Sequence, residues 1–297
     1  MNGLVELHRH LDGSLRPATV TELAATVDIP VPPRLGFWAG MGLHEALDQF
    51  NFTTKLLQTP AALTRVADEV CTDAADEGIS TLEIRFAPQL HGMRFRQAVD
   101  AVLEGIDGRA GVLLCGLYGD YPGLIAELVD IAASRDGVVG IDLAGGPTPV
   151  QSFSLDDYAG PFRRAAELGL GRTVHAGEGR PPAEIRTAIE VLGAQRIGHG
   201  TTLLNDPEVL QLVLDRGVTI EACPTSNWHT GVIGDVSAHP LKRWLDLGVK
   251  VTVCTDNTLL SDVSLPEEIA RVRRIAGIDD AAVETMRAHG HAAAFPR

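Results

Sequence analysis

Residues 172–199 read RTVHAGEGRPPAEIRTAIEVLGAQRIGH. A short β-branched run (172–176) ends in a histidine and a glycine turn. A stretch with apolar residues at helical spacing (182–192) follows. A second short run (195–199) then ends in another histidine. The pattern is strand, helix, strand, the unit that lays two parallel strands side by side.

The same unit recurs in both directions. Apolar runs stand at 3–8 (GLVELH), 80–86 (STLEIRF), 111–117 (GVLLCGL), 138–143 (VVGIDL), 218–223 (VTIEAC) and 250–255 (KVTVCT). With the two above, eight strands are expected. Helical spacing fills the gaps at 94–106, 123–133, 161–168 and 207–214, and Asp206-Pro207 reads as an N-cap followed by a first-turn proline. Eight strands alternating with helices predict an α/β chain folded as a closed (β/α)8 barrel. A doubly wound open sheet is the alternative, but it gathers its site at one switch point, not at strand ends all round. One stretch breaks the rhythm. Residues 12–79 hold a proline cluster (Pro30, Pro32, Pro33), then GFWAGMG and HEALDQFNFTTKLL. Several helices inserted after the first strand are expected there, placed as a lid over the active-site face. With no repeat or linker, residues 1–297 are read as one domain.

Composition narrows the partners. The chain has 297 residues, 45% hydrophobic, and a formal net charge of -14. That charge argues against nucleic acid and anionic membrane, where phosphate contacts dominate binding. Four cysteines form no CxxC pair, and the first ten residues, with Glu6 and His-Arg-His, lack the apolar core of a signal peptide. Reduced thiols in the cytoplasm are the expectation. No run of eighteen apolar residues suggests a membrane span.

The ionisable residues at the strand ends carry the chemistry. His8 and His10 are two apart, so strand alternation puts them, with Glu6, on one face. His175, His199 and Asp256 close three other runs. Imidazole nitrogens with a carboxylate suit zinc, with iron, cobalt or manganese also compatible. Spacing alone does not decide which of His175 and His199 takes the metal. Glu178, three residues past His175, can reach a substrate without competing for the ion; capping of the following helix is its other reading. Cys254, two before Asp256, is expected to pack inside the barrel. Of the remaining histidines, His44, His91, His239, His289 and His291 show no partner pattern, and only His229 lies on the active-site side.

Seven motifs in order, MNGLVELHRHLDGSLRP, STLEIRFAPQLH, GIDLAGGP, TVHAGEG, RIGHGT, CPTSN and CTDN, make the chain similar to the adenosine deaminase family of the amidohydrolase superfamily. The resemblance runs over nearly the whole chain. It implies a (β/α)8 barrel with helices inserted after strand one, and one Zn2+ held by His8, His10, His175 and Asp256. It implies that Glu178 protonates the ring nitrogen beside the carbon under attack, and that His199 orients the attacking hydroxide. Gly145 matches the glycine whose amide meets purine N3, and Asp12 the acid near the ribose 5′-hydroxyl. The implied reaction is hydrolytic deamination of adenosine or a related 6-aminopurine nucleoside to the 6-oxo product and ammonia. Three departures bear on the substrate. Asn257 stands where the family usually has a second aspartate that contacts purine N7; an amide donates a hydrogen bond but transfers no proton. Gly146-Pro147 replaces two rim acids, and TLLSDVS (258–264) replaces a proline-led loop. The same metal site also serves amide, lactone or phosphoester hydrolysis. A non-catalytic nucleoside-binding protein is the remaining alternative, and it predicts a missing ligand or acid where none is missing.

Overall fold

The computed structural model describes residues 3–147 and 152–297. Eight strands form one parallel sheet in sequential order, β1 (Leu4–His10), β2 (Ile79–Phe86), β3 (Gly111–Leu117), β4 (Val138–Ala144), β5 (Gly171–Ala176), β6 (Arg196–His199), β7 (Thr219–Ala222) and β8 (Lys250–Val253). Helices alternate with them. The first three, α1 (Pro17–Thr26), α2 (Leu43–Leu56) and α3 (Pro60–Asp76), all lie between β1 and β2. Then come α4 (Phe95–Ile106), α5 (Pro122–Ala132), α6 (Ala159–Glu167), α7 (Ala183–Glu190), α8 (Pro207–Arg216), α9 (Pro224–His229), α10 (Leu241–Asp246), α11 (Leu265–Val272) and α12 (Asp280–Ala293). This is the expected (β/α)8 barrel. The helix-start signals act as read: Asp206 accepts from the backbone N–H of Glu208 and Val209, and Gly217 ends α8 in the left-handed conformation.

The sheet closes by a short seam. Among the described residues one bridge joins β1 to the chain after β8, Arg9 to Asp256. His10 donates its backbone N–H to the Asp256 carbonyl at 2.8 Å, and Asp256 donates to the His8 carbonyl at 2.9 Å. Barrel closure therefore places Asp256 between the two histidines of β1. A one-residue bulge between Glu6 and Arg9 interrupts strict alternation along β1. Glu6 is fully buried; it accepts from His8 N–H and from both the N–H and hydroxyl of Thr255, tying the end of β8 to β1.

Below that seam β1 and β8 do not pair, and α12 fills the opening. His289 Nδ1 accepts from Val251 N–H, while His291 bonds the Gly3 carbonyl and the Thr81 hydroxyl. These two histidines, without a pattern in the sequence, satisfy strand edges that a fully paired barrel would not expose. Gly290 lets the helix come close: a Cβ there would stand 2.5 Å from Thr252 Oγ1 and 2.7 Å from Val5 Cγ1. Gly290→Ala gains about 1 kcal/mol of helix propensity, against about 1–3 kcal/mol of overpacking. The expected outcome is a net loss of up to about 2 kcal/mol in chemical denaturation; a gain in stability would contradict this packing.

Inside the barrel, beneath the mouth, charged groups replace aliphatic ones. Glu221 on β7 lies 2.9 Å from Arg85 Nη2 and 2.7 Å from Arg196 Nε. Asp142 on β4 takes Arg85 Nη1 at 2.7 Å. Burial opposes both carboxylates, yet Arg85 and Arg196 hold Glu221 well below its usual range, and His175 and Arg85 do the same for Asp142. Cys254 packs here with Val5, Leu7 and Cys223. All four cysteines are buried and unpaired, and no helix among the described residues is long and apolar enough to cross a membrane.

The inserted stretch 12–79 has two surroundings. Helix α3 lies against α4 and β2, as an ordinary barrel helix does. Helix α2 crosses the mouth. Its Leu43, Leu47 and Phe50, spaced for one helical face, line the cavity at the strand ends.

Candidate active site

His8, His10, His175 and Asp256 converge at the C-terminal ends of the strands, their ligand atoms all within 4.8 Å of one another. His10 Nε2 stands 3.2 Å from His175 Nε2. Asp256 Oδ1 is 3.4 Å from Nε2 of both His8 and His10. These spacings match the roughly 3.3 Å edge of a tetrahedral site with bonds of about 2.0–2.1 Å. The orphaned atoms agree: His8 Nε2 is buried without a hydrogen-bond partner, and two imidazole nitrogens this close ask for a proton or cation between them. His199 is not one of the four converging residues, which separates it from His175 where spacing did not.

A second ring of groups aims the first. Glu221 holds His8 Nδ1 at 2.7 Å, and Asp142 holds His175 Nδ1 at 3.1 Å. Each bond fixes a ring's tautomer and turns its Nε2 to the centre. Ser226 donates to Asp256 Oδ2 at 2.6 Å, leaving Oδ1 for the cluster. Burial keeps His10 well below the usual imidazole range, so its nitrogen is neutral and able to ligate. Burial also works against His8, but the nearby carboxylates of Asp256 and Glu221 outweigh it and lift this ring to about 8. The approach of His8 depends on Gly198, where a Cβ would stand 3.0 Å from His8 Cε1.

Glu178 sits on the turn after β5, between Gly177 and Gly179, both at positive φ. It is buried, accepts from Thr230 at 3.3 Å, and has Oε2 3.8 Å from His199 Nε2. His199 and Asp256 are non-glycine residues at φ 65°. Such strain survives where packing over-determines it, commonly at functional sites. Burial lowers His199 to about 4, and Asn227 Nδ2 contacts its Nδ1 at 3.0 Å. Glu178, His199 and Asp256, with Phe37, Leu43, Phe50, Gly145, Thr230 and Asn257, line a cavity of about 50 Å3. Asn257 is buried with its Oδ1 unpartnered.

A second cavity, of about 290 Å3, adjoins the first through His10, Leu47, Phe50 and Gly145. Asp12 lines it, and burial lifts its carboxyl to about 7. His229 lines neither; it is buried near Phe37, and burial lowers it to about 4. Sequence reasoning missed Glu221, Asp142, Ser226 and Thr230. The first two were signalled by a lone acid inside an apolar strand. Ser226 and Thr230 look like ordinary residues of a short helix.

The adenosine deaminase family model matches residues 3–296. An adenosine deaminase of Enterococcus faecalis is 34% identical over 288 residues, spanning 90% of this chain and 84% of its own. The chain belongs to the adenosine deaminase family. It is a metal-dependent aminohydrolase. An adenosine deaminase of Clostridium perfringens is 36% identical over 300 residues, spanning 93% and 88% of the two chains. Among solved structures, an N6-mAMP deaminase of arabidopsis superposes with a TM-score of 0.88 at 26% identity, over 99% of this chain and 93% of its own. An adenine deaminase of Arthrobacter aurescens, at 24% identity and a TM-score of 0.90 over 100% and 95% of the two chains, shares the fold.

Proposed function

We propose that this enzyme removes the 6-amino group of a purine nucleoside, adenosine or a close relative, by hydrolysis. The observation that carries the reading is the four-atom cluster with Glu178 and His199 facing the same cavity. The relatives named above as adenosine deaminases support it. His8, His10, His175 and Asp256 would hold one divalent ion, and three nitrogens with one oxygen favour zinc. When bound, such an ion acidifies water from a pKa of about 15.7 to about 7, providing a nucleophile at neutral pH.

The chain's own residues do the rest. His199 holds the attacking water and takes its proton. Glu178 gives a proton to N1 as oxygen adds to C6, so no charge builds on the ring. His199 returns its proton to N6, the C6–N6 bond breaks and ammonia leaves, and the proton of the new C6 hydroxyl restores Glu178, leaving the 6-oxo purine protonated at N1. Thr230 positions Glu178 through its hydroxyl. Asn257 offers an amide N–H to the imidazole edge of the base, and the Gly145 backbone faces its other edge.

The test is metal-loaded protein with a panel of 6-aminopurine nucleosides, following ammonia. Release with conversion to the 6-oxo product is expected; none across the panel would sink the reading.

A further inference from the structure

Beyond the cavity at the metal cluster, the second cavity has a composition of its own. Its floor is formed at the ends of β2, β3 and β4 by Ala87, Cys115, Leu117 and Ala144, an apolar cluster separate from the main core. Barrel interiors are usually filled at this level by bulky branched side chains. Three of these four are small, which opens the space. Its polar lining is His10, Asp12, Asn51, Thr54 and Tyr118. Asp12 Oδ1 and Thr54 Oγ1 are both buried without partners. Unpartnered buried acceptors and hydroxyls call for hydroxyl groups on a ligand.

Charge divides the possible occupants. Among the described residues, no lysine or arginine lines this cavity, and Asp12 is its one carboxylate. The nearby guanidinium of Arg180 bonds Glu184 at 2.7 Å and the His175 carbonyl at 3.0 Å. Its Nη1 has no partner, and it lies 3.1 Å from where a Cβ on Gly146 would stand. A phosphate in the cavity would meet a carboxylate and no lining cation.

Position in the ligand follows from its shape. In a 6-aminopurine, C6 and N9 lie at opposite ends. With C6 at the metal cluster, the N9 substituent points away from it, into the adjoining cavity. The sugar hydroxyls reach Asp12 and Thr54, and whatever extends from the sugar meets the apolar floor.

We propose that the site takes a 6-aminopurine nucleoside whose 5′ carbon carries an uncharged apolar group, seated on Ala87, Cys115, Leu117 and Ala144. This rests on the deaminase reading above. It separates the chain's substrate from a free base, which leaves the floor bare, and from a 5′-phosphate, which the apolar floor gives no counter-charge.

The experiment compares kcat/KM of the metal-loaded enzyme for adenine, adenosine, AMP and 5′-deoxyadenosine bearing a 5′-phenylthio ether. One well-buried methylene is worth about 10- to 200-fold in such pockets. The thioether is expected to exceed adenosine by at least about tenfold, with AMP about a hundredfold or more below adenosine. Ala87→Leu fills the floor and should lower the thioether-to-adenosine ratio by about tenfold. Adenosine or AMP equal to or better than the thioether overturns the proposal and leaves the deaminase reading standing. An unchanged ratio in a folded Ala87→Leu protein that still binds zinc also overturns it. No ammonia from any of the four removes the deaminase reading, and this proposal with it.

Discussion

Glu178→Gln is expected to lower kcat/KM for a 6-aminopurine nucleoside by about a hundred- to ten-thousandfold. Metal content and ligand binding should stay near those of the parent. The side chain keeps its size and its contact with Thr230, so the turn between Gly177 and Gly179 has no reason to move. What is lost is the ability to give a proton to the ring. Without it, oxygen addition at C6 builds charge on N1, and among the described residues no lysine or arginine lines the cluster's cavity to neutralise it. The checks are ammonia release, zinc by elemental analysis, and product binding by titration calorimetry. A loss of activity matched by a loss of zinc would reassign Glu178 to holding the metal. A loss below about fivefold, against the expected hundredfold or more, would remove it from the chemistry.

The second large effect falls outside the cluster. Glu221→Ala is expected to destabilise the fold by about 3–5 kcal/mol, because it strands buried cations. Arg85 and Arg196 both lean on this carboxylate, and His8 is oriented by it. Glu221→Gln separates the two roles. The amide keeps the volume and one acceptor, so stability should fall less. His8, however, loses the anionic partner that fixes its tautomer, and metal affinity should drop by about 10- to 100-fold. Chemical denaturation reads the first effect and a competitive zinc chelator the second. If Glu221→Gln keeps parental zinc affinity, the acid only neutralises the arginines and does not tune the metal site.

The sequence made the barrel readable because each strand is a short β-branched run bounded by turn residues. The histidines stood out because imidazole is rare at the ends of such runs. Closure was not readable in the same way. It depends on a bulge in β1 and on Asp256, which lies past the end of β8 and is held by a single bridge to Arg9. The plug formed by α12 was hidden for a related reason: His289 and His291 satisfy strand edges, and no local pattern announces a missing ladder. The acids beneath the metal cluster were half visible. Glu221 in VTIEAC and Asp142 in VVGIDL are charges set in apolar strands, and burial at such a place requires a partner. Which partner each takes emerges only in three dimensions. The stretch 12–79 shows the same limit. Its helical period is plain in the sequence, but whether a helix faces the sheet, as α3 does, or the mouth, as α2 does, depends on the path of the loops.

Titrating metal-free protein with Zn2+ while following ammonia release from a 6-aminopurine nucleoside would settle whether this cluster is the working centre. Activity should rise linearly and break at one zinc per chain, and His10→Ala should remove both the break and the turnover. Full turnover without metal, or a break that survives His10→Ala, would contradict the assignment of the metal to His8, His10, His175 and Asp256.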